Sequence, residues 1–154
     1  MLKISKERNP IWDERKEEIF NQADVGTFNI ADNVKGNRLF GEWWSASINE
    51  TICGYIWGQQ DGKAFEVSFI VDAAYRNQKI GEALLREVEL SVKCHGVEKI
   101  IAIVQPENPN IEKMIEWLYK LGYHLEFNGL KSEKFARNLS KKGIIPLELV
   151  KILE

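Results

Sequence analysis

The chain has 154 residues, of which 44% are hydrophobic and 29% are charged, a composition typical of one globular domain rather than of a disordered segment. Its formal net charge is −2, so no overall basic field indicates nucleic acid as a partner. No apolar run approaches the ~20 residues of a membrane-spanning helix, the N-terminus lacks an apolar signal-peptide core, and two cysteines are too few for a disulfide framework, so we expect a cytoplasmic protein without a membrane partner.

The first part of the chain predicts an edge strand, a helix and an antiparallel strand pair. Pro10 suits the first turn of a helix, and apolar residues then lie on one side as far as about Ala23. A turn is expected at Asn49–Glu50. The predicted elements are a strand at Leu2–Ser5, a helix at Pro10–Ala23, a polar loop at Gly26–Gly36, and strands at Phe40–Ile48 and Thr51–Gln59.

An apolar strand followed by a polar loop and a helix is the clearest pattern in the chain. The run Phe65–Val71 is almost continuously apolar, as is typical of a strand covered on both faces, and Asp61–Gly62 before it favours a hairpin. Arg76–Gly81 turn the chain, and the apolar spacing in Leu84–Val92 predicts a helix that ends near Gly96. The first N–H groups of such a helix lack intrahelical partners and favour a phosphate or pyrophosphate.

A second strand, loop and helix follow. Lys99–Val104 is again apolar and predicts a buried strand. Gln105–Asn110 form a loop, because Pro109 cannot lie inside a helix. Apolar residues in Ile111–Leu121 mark one face of a helix, and Gly122 is suited to its C-cap.

The end of the chain is interpreted as a strand pair and a helical tail. His124–Phe127 and Lys134–Leu139 are the expected closing strands. Pro146 suits the start of a short helix with an apolar face, which must be buried either on its own domain or on a second subunit. We prefer the second interpretation, which predicts a homodimer.

Short antiparallel strands followed by strand–helix–strand–helix argue for an α/β (α+β) fold with one central sheet. The chain is expected to form a single domain, 1–154, in which 141–154 are a short C-terminal extension.

Two of these segments resemble the GNAT family of acyl-CoA-dependent N-acetyltransferases. That family carries Arg/Gln-x-x-Gly-x-Gly/Ala between strand and helix; here Arg76–Gly81 reads RNQKIG, so the Arg and the last Gly match while Lys79 stands at the first Gly. Trp117–Tyr123 reads WLYKLGY and is similar to the family's Leu-Tyr-x-Lys-Leu-Gly-Phe ending. The resemblance covers Ile52–Phe127. It implies a mixed central sheet with helices on both faces and a central pair of parallel strands that splay apart.

The resemblance also implies acetyl-CoA as the cosubstrate. Its pantetheine arm would act as a substitute strand beside Phe65–Val71, and its pyrophosphate would lie on the amides of 78–82, where Gly81 allows close approach. Two interpretations of Lys79 stay open: its ammonium pairs with a phosphate, or it points into solvent. The residues implied in binding are Phe69, Ile70, Val71, Arg76, Asn77, Gln78, Lys79, Ile80, Gly81, Glu82 and Asn110.

The implied reaction is direct attack of a primary amine on the acetyl thioester in a ternary complex. A protonated alkyl amine has a pKa of ~10 and cannot attack, so a general base is expected. The candidates are Glu66, Glu107 and Glu42. Glu66 lies on the expected strand, but the family's catalytic acid would align with Phe65 or Val67, so Glu66 is out of phase unless a bulge shifts it.

The candidate general acid is Tyr119. Leu118 stands at the family's usual Tyr position, and Tyr119 follows one residue later, about 100° round the helix. Water is the alternative donor of a proton to the leaving thiolate.

The acceptor is expected to be an amine-bearing small molecule or a protein amine. Six acidic residues in and after the first predicted helix suggest a cationic acceptor, although a solvated acidic helix face is the alternative: Asp13, Glu14, Glu17, Glu18, Asp24 and Asp32. Cys94 and His95 have no companions at ligand spacing, so no metal site is expected.

A second function from another class also stays open. The departures from the family pattern at Lys79 and Leu118 are compatible with a catalytically weak or inactive module that binds acyl-CoA or a protein on the same fold.

Overall fold

The computed structural model describes residues 1–23, 34–106, 108–126, 137–138, 141–142 and 146–154. The strands in these ranges are β1 (Leu2–Lys6), β2 (Glu42–Ile48), β3 (Thr51–Asp61), β4 (Ala64–Val71), β5 (Lys99–Val104), β6 (His124–Glu126) and β7 (Leu147–Ile152). The helices are α1 (Glu14–Phe20), α2 (Ile80–Lys93) and α3 (Ile111–Lys120), with a 3₁₀ turn at Ala73–Tyr75. Within the described ranges the strands form one mixed sheet in the order β1-β2-β3-β4-β5-β7-β6.

Helices cover both faces of this sheet, as predicted. On one face α2 and α3 pack against a large apolar cluster that includes Phe65, Val67 and Trp44. On the other face α1 contributes Ile19 and Phe20 to an aromatic cluster with Trp12, Trp43, Tyr55 and Ile70. Because side chains alternate along a strand, neighbouring residues of β2 and β4 serve opposite clusters.

The antiparallel half of the sheet agrees with the predicted strands. Asn49 and Glu50 have φ angles of 50° and 68°, as a two-residue turn between antiparallel strands requires. Gly62, with φ 61°, begins the next turn, after which β4 pairs with β3.

Helix α1 begins later than the prediction from Pro10. The Asp13 side chain accepts a hydrogen bond from Lys16 N–H at 2.8 Å and forms the N-cap, so the helix starts at Glu14. Residues before it are instead held in an extended pairing, in which Trp12 N–H donates to Asn37 O at 2.8 Å and Ile11 pairs with Arg38. Most of the loop predicted at Gly26–Gly36 lies outside the described residues.

The parallel strands β4 and β5 part along their length. They pair from Ala64 opposite Lys99 to Val67 opposite Ala102, and the described ladder between them ends there. Beyond that point β4 keeps its pairing with β3, and β5 keeps its pairing with β7. The edge of Ser68–Val71 that faces β5 therefore has no strand partner among the described residues.

The C-terminal tail forms a strand, so the predicted helix is wrong. Leu147–Ile152 is β7, which lies between β5 and β6 and is antiparallel to both. Leu147 and Leu149 are buried in the core, and this period of two is that of a strand. Because the tail is buried in its own sheet, it does not supply the apolar surface on which the dimer contact was argued, and the homodimer stays a prediction.

The strand pair predicted near the end of the chain is also different. β6 agrees with the first expected strand, but its partner is β7 rather than the segment Lys134–Leu139. Of that segment only Arg137 and Asn138 are described, and both are helical.

No helix in the described part of the chain combines the length and the apolar character that a membrane crossing requires.

Candidate active site

A cleft of about 650 Å³ lies beside the end of β4, where β4 and β5 have parted. Its walls come from the end of β4, from the loop before α2 with the first turn of that helix, from the segment that leads into α3, and from two residues after α1. The lining residues are Gln22, Ala23, Phe69, Ile70, Val71, Tyr75, Arg76, Asn77, Lys79, Ile80, Gly81, Glu82, Asn108, Pro109, Asn110, Lys113, Met114 and Trp117.

The cleft brings together nearly all the residues predicted to bind the cosubstrate. Gln78 is the exception, because it lies in the same loop but does not line the cleft. The sequence analysis did not assign Lys113, Met114 and Trp117, although they follow Asn110 at helical spacing and that signal was readable. No sequence signal pointed to Gln22 and Ala23, which reach the cleft from a distant part of the chain.

The N-terminus of α2 presents unpaired backbone donors at the cleft. The first intrahelical hydrogen bond runs from Ala83 N–H to Lys79 O at 3.0 Å, and Lys79 contributes no side-chain cap. The N–H groups of Ile80, Gly81 and Glu82 therefore have no intrahelical partner. This end of the helix carries about half a positive charge and favours an anion.

The loop before α2 keeps a glycine-like conformation at two residues that are not glycine. Asn77 and Lys79 have φ angles of 65° and 61°. Asn tolerates the left-handed region through its short polar side chain, whereas for Lys this conformation costs roughly 1–2 kcal/mol. A glycine in place of Lys79, as in the family motif, would adopt this conformation freely. With Lys79 the loop keeps the backbone conformation that a glycine would adopt, but the backbone of Lys79 is strained.

Gly81 allows α2 and α3 to approach closely at the cleft. A Cβ added to Gly81 would lie 3.2 Å from Trp117 Cη2 and 3.7 Å from Phe69 Cε2. The Phe69 and Trp117 rings are themselves in contact, with centroids 5.6 Å apart. The space beside Gly81 is therefore tight, and an added Cβ would require the Trp117 ring to shift by a few tenths of an ångström.

Glu66 lies on the sheet face opposite Phe65 and Val67. β4 pairs with β3 without a register shift, so no bulge brings Glu66 into phase. Burial and the nearby carboxylates of Glu66 and Glu126 raise the pKa of Glu148 on β7. The sequence analysis missed this acidic group because it interpreted β7 as a helix.

None of the described residues predicted to be catalytic lines the cleft, and this includes Glu66. Tyr119 lies two residues after Trp117, about 200° round α3. Its ring is 6.1 Å from that of His124, and its hydroxyl accepts a hydrogen bond from Arg137 Nη2 at 3.5 Å. Glu42 pairs with Lys6, and Glu107 lies outside the described residues. The catalytic roles of Glu66, Glu107 and Tyr119 stay predictions.

Acidic residues of α1 have partners within the described chain. Asp13 caps the helix, Glu18 pairs with Arg15 at 3.0 Å, and Glu17 lies 4.0 Å from Lys35. Asp24 and Asp32 lie outside the described residues. The described ranges hold no group of three or more His, Cys, Asp or Glu side chains arranged for a metal ion.

The comparisons with known proteins point to one family. The family model described as "Acetyltransferase (GNAT) family" matches residues 4–124, well over half of the chain. No curated protein matches the chain in sequence.

Solved structures share the fold at low sequence identity. An IAA acetyltransferase from Bacillus cereus ATCC 14579 superposes with a TM-score of 0.70 at 16% identity, over 99% of this chain and 100% of that one. The ribosomal-protein-S18-alanine N-acetyltransferase from Escherichia coli gives 0.65 at 16% identity, over 100% of this chain and 95% of that one. PaiA N-acetyltransferase from Thermoplasma acidophilum in complex with coenzyme A gives 0.54 at 21% identity, over 71% of this chain and 59% of that one.

At these identities the likeness establishes the fold. The chain spans 60% or less of the length of three of the proteins that it matches.

Proposed function

The chain belongs to the GNAT family of acetyltransferases, and on this premise we propose that it transfers the acetyl group of acetyl-CoA to a primary amine of an acceptor. The observation that carries the proposal is the cleft beside the parted strands β4 and β5, together with the free N-terminus of α2 at its wall.

The residues present fit acetyl-CoA as cosubstrate. The pantetheine arm is a chain of amides, and the edge of Ser68–Val71 lacks a strand partner among the described residues. The pyrophosphate is an anion, and the α2 N-terminus favours an anion at the same cleft. Arg76, Lys79 and Lys113 add positive charge to the lining. A structural relative, PaiA from Thermoplasma acidophilum, was solved with coenzyme A, which supports this assignment.

The proposed chemistry is direct transfer in a ternary complex. The amine nitrogen attacks the thioester carbon, a C–N bond forms, the C–S bond breaks, and coenzyme A leaves as a thiolate. A backbone N–H at the end of β4 would stabilise the charge that develops on the carbonyl oxygen. A general base takes one proton from the ammonium before attack. The nitrogen loses a second proton as the amide forms and the thiolate takes up one proton, so one proton is released overall.

We propose Glu66 as the general base. It lies on the same sheet face of β4 as Ile70, which lines the cleft, although Glu66 itself precedes the lining and belongs to the part of β4 that still pairs with β5. Glu107 is the second candidate. Glu66→Gln and Glu107→Gln would separate the two in kcat, and rates within twofold of wild type for both would remove this assignment.

Water is the proposed source of the proton for the thiolate, because Tyr119 lies away from the lining of the cleft. The alternative in which Tyr119 is the general acid predicts a large loss of kcat in Tyr119→Phe, whereas water predicts a rate close to that of wild type.

The acceptor amine belongs to a small molecule or to a protein. The Escherichia coli relative is named for an alanine of a ribosomal protein, and the Bacillus cereus relative is named for IAA, so the fold serves acceptors of different kinds. An acceptor panel should therefore hold polyamines, aminoglycoside-like amines, peptide N-termini and lysine side chains.

Two measurements test the proposal. Acetyl-CoA at about 100 times its dissociation constant should add ~2.7 kcal/mol of stability and raise Tm by about 5–10 °C beyond an ADP control. Thiol release should then depend on the amine. Binding without amine-dependent release would favour the acyl-CoA-binding module, and no Tm shift at millimolar acetyl-CoA would refute cosubstrate binding.

A further inference from the structure

Asp72 is a buried carboxylate at the point where β4 runs into the loop of the cleft. Only 7% of the residue is exposed. Its Oδ2 accepts a hydrogen bond from Arg15 Nη2 at 2.6 Å, and its Oδ1 accepts one from Gln22 Nε2 at 3.1 Å. The same Oδ1 accepts the N–H of Ala74 at 3.1 Å and so caps the 3₁₀ turn. One side chain therefore joins the loop to residues about fifty positions earlier in the chain.

Arg15 and Gln22 extend this contact to the sheet and to the loop backbone. Arg15 donates from Nε and Nη2 to Ile52 O at 2.9 and 2.6 Å, which ties α1 to the start of β3. Gln22 Oε1 accepts the N–H of Ala73 at 2.8 Å. The Asp72 N–H itself donates to Cys53 O at 2.8 Å. The first turn of α1, the segment just after that helix, the start of β3 and the 3₁₀ turn are thus joined by hydrogen bonds.

Asp72 and Arg15 adjoin both walls of the cleft without lining it. Gln22 and Ala23 line one wall, and the lining loop begins at Tyr75, three residues after Asp72. Asp72 and Arg15 are absent from the lining, so they act on a bound molecule only through their neighbours. A shift of α1 relative to the loop would change the width of the cleft at the position where the phosphates are proposed to bind.

We infer that Asp72 is a positioning residue for cosubstrate binding, which holds α1 and the loop before α2 in one arrangement through Arg15 and Gln22. The inference rests on the proposed function, because the ligand it concerns is acetyl-CoA.

The protonation state of Asp72 agrees with this role. Burial alone would raise the pKa of its carboxyl, but the hydrogen bonds from the Ala74 N–H, Gln22 and Arg15 outweigh burial and hold the pKa below its ordinary value. The carboxylate is therefore charged at neutral pH, and its contacts are charge-assisted.

The test compares two variants with a matched control. Asp72→Asn keeps an oxygen that can accept the Ala74 N–H, but it places an NH₂ group opposite the Arg15 guanidinium and so removes that hydrogen bond. Arg15→Lys keeps the charge but cannot reach both Ile52 O and Asp72 with a planar fork. The control is Arg86→Lys on α2, since Arg86 also pairs with a carboxylate three residues on, Glu89 at 3.2 Å, and does not line the cleft.

Three readouts are taken: the Kd of acetyl-CoA by calorimetry, kcat and KM with an amine acceptor, and amide exchange of Ala73 and Ala74 by NMR without ligand. We expect both variants to raise Kd and the KM for acetyl-CoA about fivefold or more, because each breaks a contact to a charged group. The change in KM should exceed that in kcat. Exchange of Ala73, Ala74 and the amides at the end of α1 should accelerate together. Arg86→Lys should leave all three readouts at their wild-type values.

The outcomes are distinguishable. A folded Asp72→Asn or Arg15→Lys with Kd within twofold of wild type overturns the inference and leaves the proposed function intact. A wild-type protein that binds no acetyl-CoA overturns both. If Asp72→Asn fails to fold, Arg15→Lys decides the question, because it retains the positive charge beside Asp72.

Discussion

Replacing Lys79 by glycine should stabilise the protein. Lys79 has φ 61°, a conformation that costs an L-residue with a Cβ roughly 1–2 kcal/mol and glycine almost nothing. Glycine also gains conformational entropy in the unfolded chain, which takes back about 0.4–1 kcal/mol. With about 1.5 kcal/mol for the strain and about 0.7 kcal/mol for the entropy, the net expectation for Lys79→Gly is a gain of about 0.8 kcal/mol, or a rise in Tm of ~2–3 °C for a domain of this size.

The assay is thermal unfolding of the ligand-free protein, with Lys79→Met as the matched control. Methionine removes the ammonium but keeps the Cβ, so its Tm should stay at the wild-type value while that of Lys79→Gly rises. A Lys79→Gly protein with unchanged or lower Tm would refute the argument that the loop is strained at this residue.

The same two variants decide between the interpretations of the ammonium. If it pairs with a phosphate, Lys79→Met should weaken acetyl-CoA binding about two- to fivefold, as expected for an exposed charge, and the loss should shrink at high salt. If it points into solvent, Lys79→Met should bind as wild type does and Lys79→Gly should bind at least as tightly, because its loop is already unstrained.

Three further predictions follow from the site. Gly81→Ala places a Cβ 3.2 Å from Trp117, so it should weaken acetyl-CoA binding about fivefold and change the Trp fluorescence. Wild-type affinity with an unchanged fluorescence spectrum would show that the Trp117 ring moves aside without cost. Glu66→Gln should lower kcat about 100-fold at neutral pH while the KM for acetyl-CoA changes little, since a general base contributes about 10²–10⁴-fold. Glu126→Gln, on the same sheet face, is the control. Equal losses of kcat in the two variants would contradict the assignment of Glu66 as the base. Because the folded pKa of Asp72 lies below its unfolded value of about 4, its stabilisation is fully present above that pH and is lost as pH falls through the folded pKa. The Tm of wild type should therefore fall more steeply below pH 4 than that of Asp72→Asn, and parallel curves would contradict the contacts drawn for this carboxylate.

The strand–loop–helix pattern around Arg76 was readable because its signals are local. A continuous apolar run predicts a buried strand, and helical spacing predicts α2. The residues between them match the family motif except at Lys79, whose φ of 61° explains why the motif has a glycine there. Most residues predicted to bind the cosubstrate line the cleft for the same reason, since they are neighbours in the sequence.

The tail and the start of α1 were misread because their local signals were ambiguous. The six residues Leu147–Ile152 are too few to distinguish the spacing of apolar residues in a helix from that in a strand. Pairing with the edge of β5 stabilises the strand. Pro10 is compatible with a helix start, but pairing of Trp12 with Asn37 holds that segment extended, and Asp13 then caps the helix. In each case a distant partner outweighed local preference.

The sequence by itself determined the family, the strand and helix types around the motif and the loop that faces the cleft, because periodicity and turn chemistry act over a few residues. Only the tertiary structure decided which distant segments meet there. The apolar face of α1 packs on the sheet, and this places Gln22 at the wall of the cleft. It also brings Gln22 within hydrogen-bonding distance of Asp72, fifty positions later in the chain. Such contacts arise from packing between elements, which a single sequence pattern does not encode.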